Sequence, residues 1–197
     1  MNLVDRAKNI MFSPKTEWDV IKVESWTISD LFTKYALILA AIPAVAGIIG
    51  FSIFGVSWGF FSFKVPFGDS ITWAITTYIL SILGVFLIAF IADALAPSFG
   101  STKDMSASTK AIVFAYTPAW VAGIFNIIPS LNIIVALAGI YGLILMYMGL
   151  QKIKDVPQDK MIGYFIVIIV VAIVVYIVTG LIVREIAFSG YMMTEGL

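Results

Sequence analysis

The sequence of 197 residues contains no cysteine and no histidine. Without cysteine the chain has no disulfide framework, no thiolate nucleophile and no sulfur ligand for a metal. Without histidine it lacks the most common general base and metal ligand, which excludes serine-triad, cysteine-protease and zincin chemistry. No nucleotide-binding loop, dinucleotide fingerprint or metal-ligand spacing is present either. We therefore expect no cofactor, no metal and no enzymatic activity.

Charged residues are also scarce, at 12% of the chain against 61% hydrophobic residues. Four runs carry no Asp, Glu, Lys or Arg and together make up more than half of the sequence: 35–63, 70–92, 111–151 and 161–183. A soluble chain of this kind would expose more apolar surface than monomers tolerate, and disordered chains are polar. The formal net charge of zero gives no basic surface for nucleic acid. The sequence therefore predicts an integral membrane protein whose first partner is the lipid bilayer.

The uncharged runs divide into segments of the length that crosses a bilayer, about 20 residues each. The run 111–151 is too long for one helix, and turn-forming Asn126, Pro129, Ser130 and Asn132 lie at its middle, so it predicts a helical hairpin. The arrangement from Ser101 to Asp104 matches a capping box, so the first arm of this hairpin begins before the run. The sequence predicts an all-α protein with five spans at about 35–56, 71–96, 102–126, 132–150 and 162–183.

The distribution of Lys and Arg predicts the orientation of these spans. An odd number of spans places the two termini on opposite sides, and cytoplasmic loops are enriched in Lys and Arg. With the N-terminus inside, ten of the twelve Lys and Arg residues are cytoplasmic, and only Lys64 and Arg184 lie outside. We therefore expect residues 1–34 to be cytoplasmic and residues 184–197 to form an extracytoplasmic tail.

The N-terminal segment 1–34 has the pattern of short amphipathic helices. Apolar residues recur at helical spacing over 2–12, Ser13-Pro14 suits the start of a second helix that ends near Val23, and Thr27 with Asp30 suits the start of a third. Two interpretations stay open. The helices form a docking surface for a protein or lipid partner, with Trp18, Asp30 and Leu31 as candidate partner-binding residues, or they shield the ends of the spans.

Asp93 is the one acidic residue within a predicted span, and no second carboxylate is available to build an intramembrane acid-base pair. It lies four residues before Pro97, near a helix C-terminus, where the negative end of the helix dipole favours a neighbouring cation. Lys110 is the closest candidate in sequence, and Lys103 is second. We expect a structural ion pair between Asp93 and Lys110, with a proton- or ion-coupling site as the alternative.

Small residues at four-residue spacing predict close helix packing, in the bundle interior or at an oligomer contact. They are Ala46 and Gly50, then Ala115, Ala119 and Gly123, then Ala138 and Gly142. Pro43 and Pro118 fall within predicted spans, where each favours a kink. The last span is almost continuous Ile and Val, which predicts a position at the bundle edge facing lipid.

Four short motifs occur in an order typical of a known family: Asp30-Leu31-Phe32, Ala115-Tyr116-Thr117-Pro118, Gly139-Ile140-Tyr141 and Tyr147-Met148-Gly149-Leu150. Over about 10–185 the chain resembles the Yip-one (Ypt/Rab-interacting protein) family, in particular its short prokaryotic branch. The resemblance implies a five-helix membrane protein with a cytoplasmic N-terminus, here in a prokaryotic plasma membrane. Eukaryotic members act as oligomeric adaptors that bind prenylated Rab-type GTPases. Thr33-Lys34 stands where their pattern has Gly-Pro. The resemblance therefore implies a scaffold or adaptor but does not identify its ligand.

Two functions from different classes follow. The first is a non-enzymatic membrane scaffold that forms a homo-oligomer, or binds another membrane protein, and presents its N-terminal face to a partner. The second is a small transporter or channel, in which Asp93, Thr117, Asn126 and Asn132 line a path opened at the two kinks. A transporter predicts a polar cavity that Asp93 faces, whereas a scaffold predicts a closed bundle with an exposed N-terminal face. The sequence names no substrate.

Overall fold

The computed structural model describes residues 2–58 and 61–194, and it confirms the all-α architecture with five helices long and apolar enough to cross a membrane. We number these spans in chain order: span 1 is Ile28–Phe54, span 2 Phe67–Phe99, span 3 Met105–Ile127, span 4 Pro129–Ile153 and span 5 Gln158–Ala187. Span 3 is the most buried of the five and span 5 the least. The bundle is thus arranged around the third span.

The regular α-helices are α1 Leu3–Phe12, α2 Pro14–Val23, α3 Ile28–Leu31, α4 Leu37–Ile49, α5 Phe67–Leu95, α6 Met105–Ala115, α7 Thr117–Ala122, α8 Asn132–Ile153 and α9 Gln158–Thr194. Two π-helical segments, Phe32–Ala36 and Gly50–Phe54, extend α4 at both ends, and 3₁₀ segments follow α5 and α7. Strands β1 Val56–Trp58 and β2 Phe61–Phe63 form a short antiparallel hairpin between spans 1 and 2, with Val56 opposite Phe63.

The N-terminal helices form where the sequence predicts them. The side chain of Asn2 accepts a hydrogen bond from the backbone N–H of Asp5, which caps α1. Pro14 occupies the first turn of α2, where its missing N–H costs nothing. The hydroxyl of Thr27 accepts from the N–H of Asp30, as the predicted third cap requires.

The start of span 3 differs from the prediction. Asp104 is itself the N-cap, because its carboxylate accepts a hydrogen bond from the N–H of Ala107 at 3.0 Å. Ser101 is three residues too early to cap α6, and its hydroxyl donates to the backbone carbonyl of Lys154. The capping box predicted from Ser101 was therefore wrong, although an acidic residue does begin the helix.

The two prolines are accommodated differently. Pro118 lies in the first turn of α7, and the chain leaves the α-helical geometry at Tyr116, so span 3 consists of two helices. Pro43 lies inside α4 and packs directly against Gly123, where an added Cβ would lie 2.5 Å from the Cβ of the proline. The small-residue positions Gly50, Gly123 and Gly142 thus serve contacts within the bundle.

Helix α9 packs along α5 and continues to Thr194, through most of the segment predicted as a tail. Residues 195–197 of that tail lie outside the described residues. Buried Met161, Tyr164 and Ile168 form the side of α9 that faces the bundle, and the Tyr164 hydroxyl donates to the carbonyl of Ala92 at 2.6 Å. The opposite side exposes a row of Ile and Val, which agrees with a helix at the lipid-facing edge.

Candidate functional site

The N-terminal helices α1 and α2 form a hairpin, called here the N-terminal hairpin (residues 3–23), that packs beside the C-terminal half of α8. Helix α2 contacts α8 at two neighbouring positions: Trp18 lies against Gly149, and Asp19 pairs with Lys152 at 2.7 Å. Near the turn of the hairpin, the Tyr141 hydroxyl donates to the carbonyl of Met11 at 2.6 Å. From position 141 to 152 the helix rises about 16 Å. The hairpin therefore covers the side of the bundle over three turns of α8.

Arg6 fixes the two helices of the hairpin to each other. Its guanidinium is buried and pairs with the carboxylates of Glu17 on α2 and Glu24 just beyond it. The guanidinium carbon also lies 5.5 Å from the centroid of the Phe114 ring. Buried charges persist only when they are paired and hydrogen-bonded, so this arrangement holds the hairpin in one geometry.

Glu24 is the partly exposed member of this group. Burial acts to raise the pKa of its carboxyl, but hydrogen bonds from Trp26 and Arg6, together with the positive charge of Arg6, outweigh burial and leave the pKa below its ordinary value. The Trp26 indole N–H donates to the same carboxylate at 2.8 Å. The charged form of Glu24 is thus the form that the folded protein favours.

The ring of Phe114 lies at the centre of an aromatic cluster. Trp18, Trp26 and Tyr35 make edge-on contacts with it, at centroid distances of 6.4, 5.8 and 4.8 Å. The Thr117 hydroxyl donates to the carbonyl of Phe114, so the Tyr35 hydroxyl is the donor in its 2.8 Å bond to Thr117. The cluster joins the hairpin, span 1 and span 3.

The structure places two of the three candidate partner-binding residues in the core, so predicting them as exposed was wrong. Trp18 is 1% exposed, because Gly149 leaves room for its indole against α8. Leu31 is fully buried on the side of α3 that faces the bundle. Only Asp30 retains exposed surface, and its carboxylate accepts from the Thr27 hydroxyl and pairs with Lys34 at 2.6 Å.

Asp93 forms a buried ion pair, but with Lys154 and not with Lys110 as predicted. The Lys154 ammonium lies 2.9 Å from the Asp93 carboxylate, which also accepts from the N–H of Asp104 at 2.7 Å and from the Ser108 hydroxyl at 3.0 Å. Lys154 is 61 residues away in sequence, just after the end of α8, and it comes close because α5 and α8 both pack against α6.

Lys110 has a different role, which explains why it does not reach Asp93. Its ammonium points at the end of α2 and donates to the carbonyls of Ile21 at 3.3 Å and Glu24 at 3.2 Å. A cation at the C-terminus of a helix satisfies free carbonyls and the helix dipole. Lys110 therefore caps the N-terminal hairpin from the bundle side.

The residues proposed to line a transport path do not lie together. Asn126 and Asn132 line a cavity of about 650 Å³ whose walls are mostly apolar, whereas Asp93 and Thr117 are held in the polar contacts described above and are not part of its lining. Among the described residues, no group of three or more His, Cys, Asp and Glu side chains is placed to hold a metal ion.

Sequence reasoning missed Arg6, Glu17 and Lys154. Arg6 has a local signal, since it lies three residues after Leu3 and four before Ile10, on the same stripe as buried side chains. A charge at such a position indicates a buried partner. Lys154 has no comparable local signal, because its partner is set by tertiary packing.

The family-like motifs meet where the N-terminal hairpin and span 1 contact spans 3 and 4. Tyr141 and Gly149 contact the hairpin, and Thr117 receives the hydrogen bond from Tyr35. These motifs therefore shape a packing surface within the chain.

Comparison with known proteins identifies the family. The Yip1 domain family matches residues 8–180. The inner membrane protein YohC of Escherichia coli K12 is 23% identical over 156 residues, which cover 77% of this chain and 80% of YohC, and YohC of E. coli O6:H1 matches equally. No solved structure gives a significant match. The match over most of the chain, with five apolar helices in place, shows that this integral membrane protein belongs to the Yip1 domain family.

Proposed function

We propose that the protein is a non-enzymatic membrane scaffold that presents the outward face of its N-terminal hairpin to a protein or lipid partner. That face carries the proposal, because Val4, Phe12 and Val23 are 69%, 77% and 81% exposed while the inward face is fixed to the bundle. Exposed Lys8 and Lys15 lie among them. Exposed large apolar side chains beside charged ones are typical of interaction surfaces. We expect the occupant to be a second copy of the chain or another membrane protein.

The rigidity of the hairpin supports a scaffold. Undocking it would expose the aromatic cluster around Phe114 and separate Lys110 from the carbonyls of α2. The cost of leaving these groups unsatisfied keeps the hairpin in place. A partner would therefore meet a preformed surface.

The alternative, a small transporter or channel, has less support. It relied on Asp93 and on helices kinked at proline. Asp93 is closed by Lys154 and two further hydrogen-bond donors, and Pro43 is packed tightly against Gly123. In residues 2–58 and 61–194 no feature favours a transport path over a scaffold.

We further propose that the end of the bundle with the hairpin is cytoplasmic. The loops at that end, with the hairpin, hold most of the Lys and Arg of the chain. The related proteins are named inner membrane proteins, which fits a prokaryotic plasma membrane.

Crosslinking from single cysteines tests the scaffold, because the natural chain has no cysteine. Val4→Cys, Phe12→Cys and Val23→Cys are each labelled in cells with a maleimide that carries a photoreactive group. Ile177→Cys, on the exposed side of α9, is the matched control. The scaffold predicts that the three hairpin positions capture the same protein, or a second copy of the chain, and that the control does not.

A lipid partner predicts a different outcome, in which the hairpin positions crosslink phospholipid and no common protein. The scaffold proposal is overturned if the hairpin positions capture neither, and purified protein in liposomes carries a solute across the bilayer in a manner abolished by Asp93→Asn.

A further inference from the structure

The cavity between spans 3 and 4 has features of a ligand site that is separate from the N-terminal hairpin. It has a volume of about 650 Å³, within the range of small-molecule sites. Its long walls are Ala119 on α7 and Ala136, Gly139 and Met146 on α8, and aromatic side chains of neighbouring spans, including Tyr176, complete the lining.

Small side chains create this space. An added Cβ at Gly139 would meet nothing within 4 Å, whereas one at Gly142, a single turn further along α8, would lie 2.8 Å from the carbonyl oxygen of Ala115. Helices α6 and α8 are thus in contact at Gly142 and leave a gap beside Gly139. The gap is part of the fold, because the same helix is tightly packed one turn away.

The shape of the cavity matches an acyl chain. Along α8 the lining runs from Asn132 to Met146, a rise of about 21 Å. The hydrocarbon of one leaflet is about half of the 30 Å bilayer core, so the cavity is long enough to hold a chain of that leaflet. Most of the lining is apolar, so hydrocarbon is the filling that this cavity favours.

Polar groups occur in the lining at the end near the turn between spans 3 and 4. The Asn126 amide nitrogen donates to the carbonyl of Pro43 at 3.5 Å, and the side chain of Asn132 has no hydrogen-bond partner among the described residues. Neutral amides donate to ester or phosphate oxygens, and the lining contains no Lys or Arg that would select a negative charge.

We propose that this cavity binds one acyl chain of a bilayer phospholipid, with the chain along α8 and the ester region at Asn126 and Asn132. Because its lining contains no Lys or Arg, the site is indifferent to the charge of the headgroup.

The test uses the purified full chain in phosphatidylcholine vesicles containing a phosphatidylcholine with a photoreactive diazirine on one acyl chain. Mass spectrometry then locates the labelled peptides. The proposal predicts strong labelling at 136–146, loss of that labelling in Gly139→Trp, and unchanged labelling in Gly180→Trp. Gly180 is the matched control, because its Cβ also meets nothing within 4 Å but it lies on α9 outside the cavity.

Unfolding curves of both variants control for folding, and Ala136→Leu, a smaller filling of the same cavity, replaces Gly139→Trp if that variant unfolds. Vesicles with phosphatidylglycerol carrying the same chain should give the same labelling. The proposal is overturned if residues 136–146 are labelled no more than the exposed side of α9, or if filling the cavity leaves their labelling unchanged, since the label then reports surrounding lipid only.

Discussion

Arg6 shows how a single charged residue organises the N-terminal hairpin. It is buried with Glu17 and is bound to Glu24, in a segment that otherwise follows a simple amphipathic pattern. Replacing it with Met leaves Glu17 buried without a cation, and breaking a buried pair from one side typically costs about 3 kcal/mol. We expect Arg6→Met to lower the free energy of unfolding by that amount in detergent.

The control for this prediction is Lys8→Met, two residues further along the same helix at an exposed position. It should change the unfolding free energy by less than about 0.5 kcal/mol. The double variant Arg6→Met/Glu17→Met removes both buried charges and should recover part of the loss. Equal effects of Arg6→Met and Lys8→Met would contradict the structural role of Arg6.

Glu24 gives the hairpin a dependence on pH. Its pKa in the folded protein is lowered, so the charged form stabilises the fold above the ordinary value for glutamate, about 4.3. As the pH falls through the lowered pKa, the carboxylate is protonated and this contribution is lost. Thermal unfolding between pH 6 and pH 3 should therefore show a smaller decrease in Tm for Glu24→Gln than for the natural chain. A steeper decrease for the variant would contradict the prediction.

At the scale of elements, the prediction from sequence succeeded where the determinants are local. The starts of α1, α2 and α3 follow from Asn2, Pro14 and Thr27, which act on the backbone within one turn. The partner of Asp93 and the burial of Trp18 depend on contacts across 61 and 131 positions of the chain, which no local pattern encodes. The sequence therefore predicted which segment forms the candidate site, but not which side chains of that segment are buried and which are exposed.

The contact between α2 and α8 depends on Gly149. An added Cβ there would lie 2.7 Å from the indole of Trp18, so Gly149→Val should displace α2 from α8 at a cost of about 2 kcal/mol. Limited proteolysis should then cut within the hairpin faster than in the natural chain. Gly139→Val, on the same helix with nothing within 4 Å of the added Cβ, should leave the digestion pattern unchanged.

The pair between Asp93 and Lys154 joins α5, α8 and the connection between spans 2 and 3. Lys154 also donates to the carbonyls of Thr102 at 2.7 Å and Asp104 at 3.3 Å, so Lys154→Met removes the cation that pairs with Asp93 and one donor from each of two carbonyls. We expect a loss of about 3 kcal/mol in unfolding free energy. Lys152→Met, at a more exposed ion pair, should cost less than about 1 kcal/mol. Similar losses for the two variants would show that the Asp93 pair contributes little.

At the scale of the whole molecule, the bundle has one end rich in charge and one end poor in it. The end of α2, Asp93 with Lys154, and the connection between spans 4 and 5 all lie at the first end, and Phe67 begins span 2 at the other. The ion pairs Lys22–Asp155, Asp19–Lys152 and Asp93–Lys154 all lie on this side of the bundle. The orientation of that side decides which compartment the hairpin surface faces.

Single-cysteine labelling in intact cells tests this orientation. Val23 on the hairpin is 81% exposed and Phe67 at the opposite end is 64% exposed. A cysteine at either position is therefore on the surface of the folded protein. Because most Lys and Arg lie at the end with the hairpin, we expect a membrane-impermeant maleimide to label Phe67→Cys in intact cells and Val23→Cys only after the membrane is opened. Labelling of both after permeabilisation controls for accessibility. The reverse pattern in intact cells would place the hairpin outside and remove any cytoplasmic partner from the proposed function.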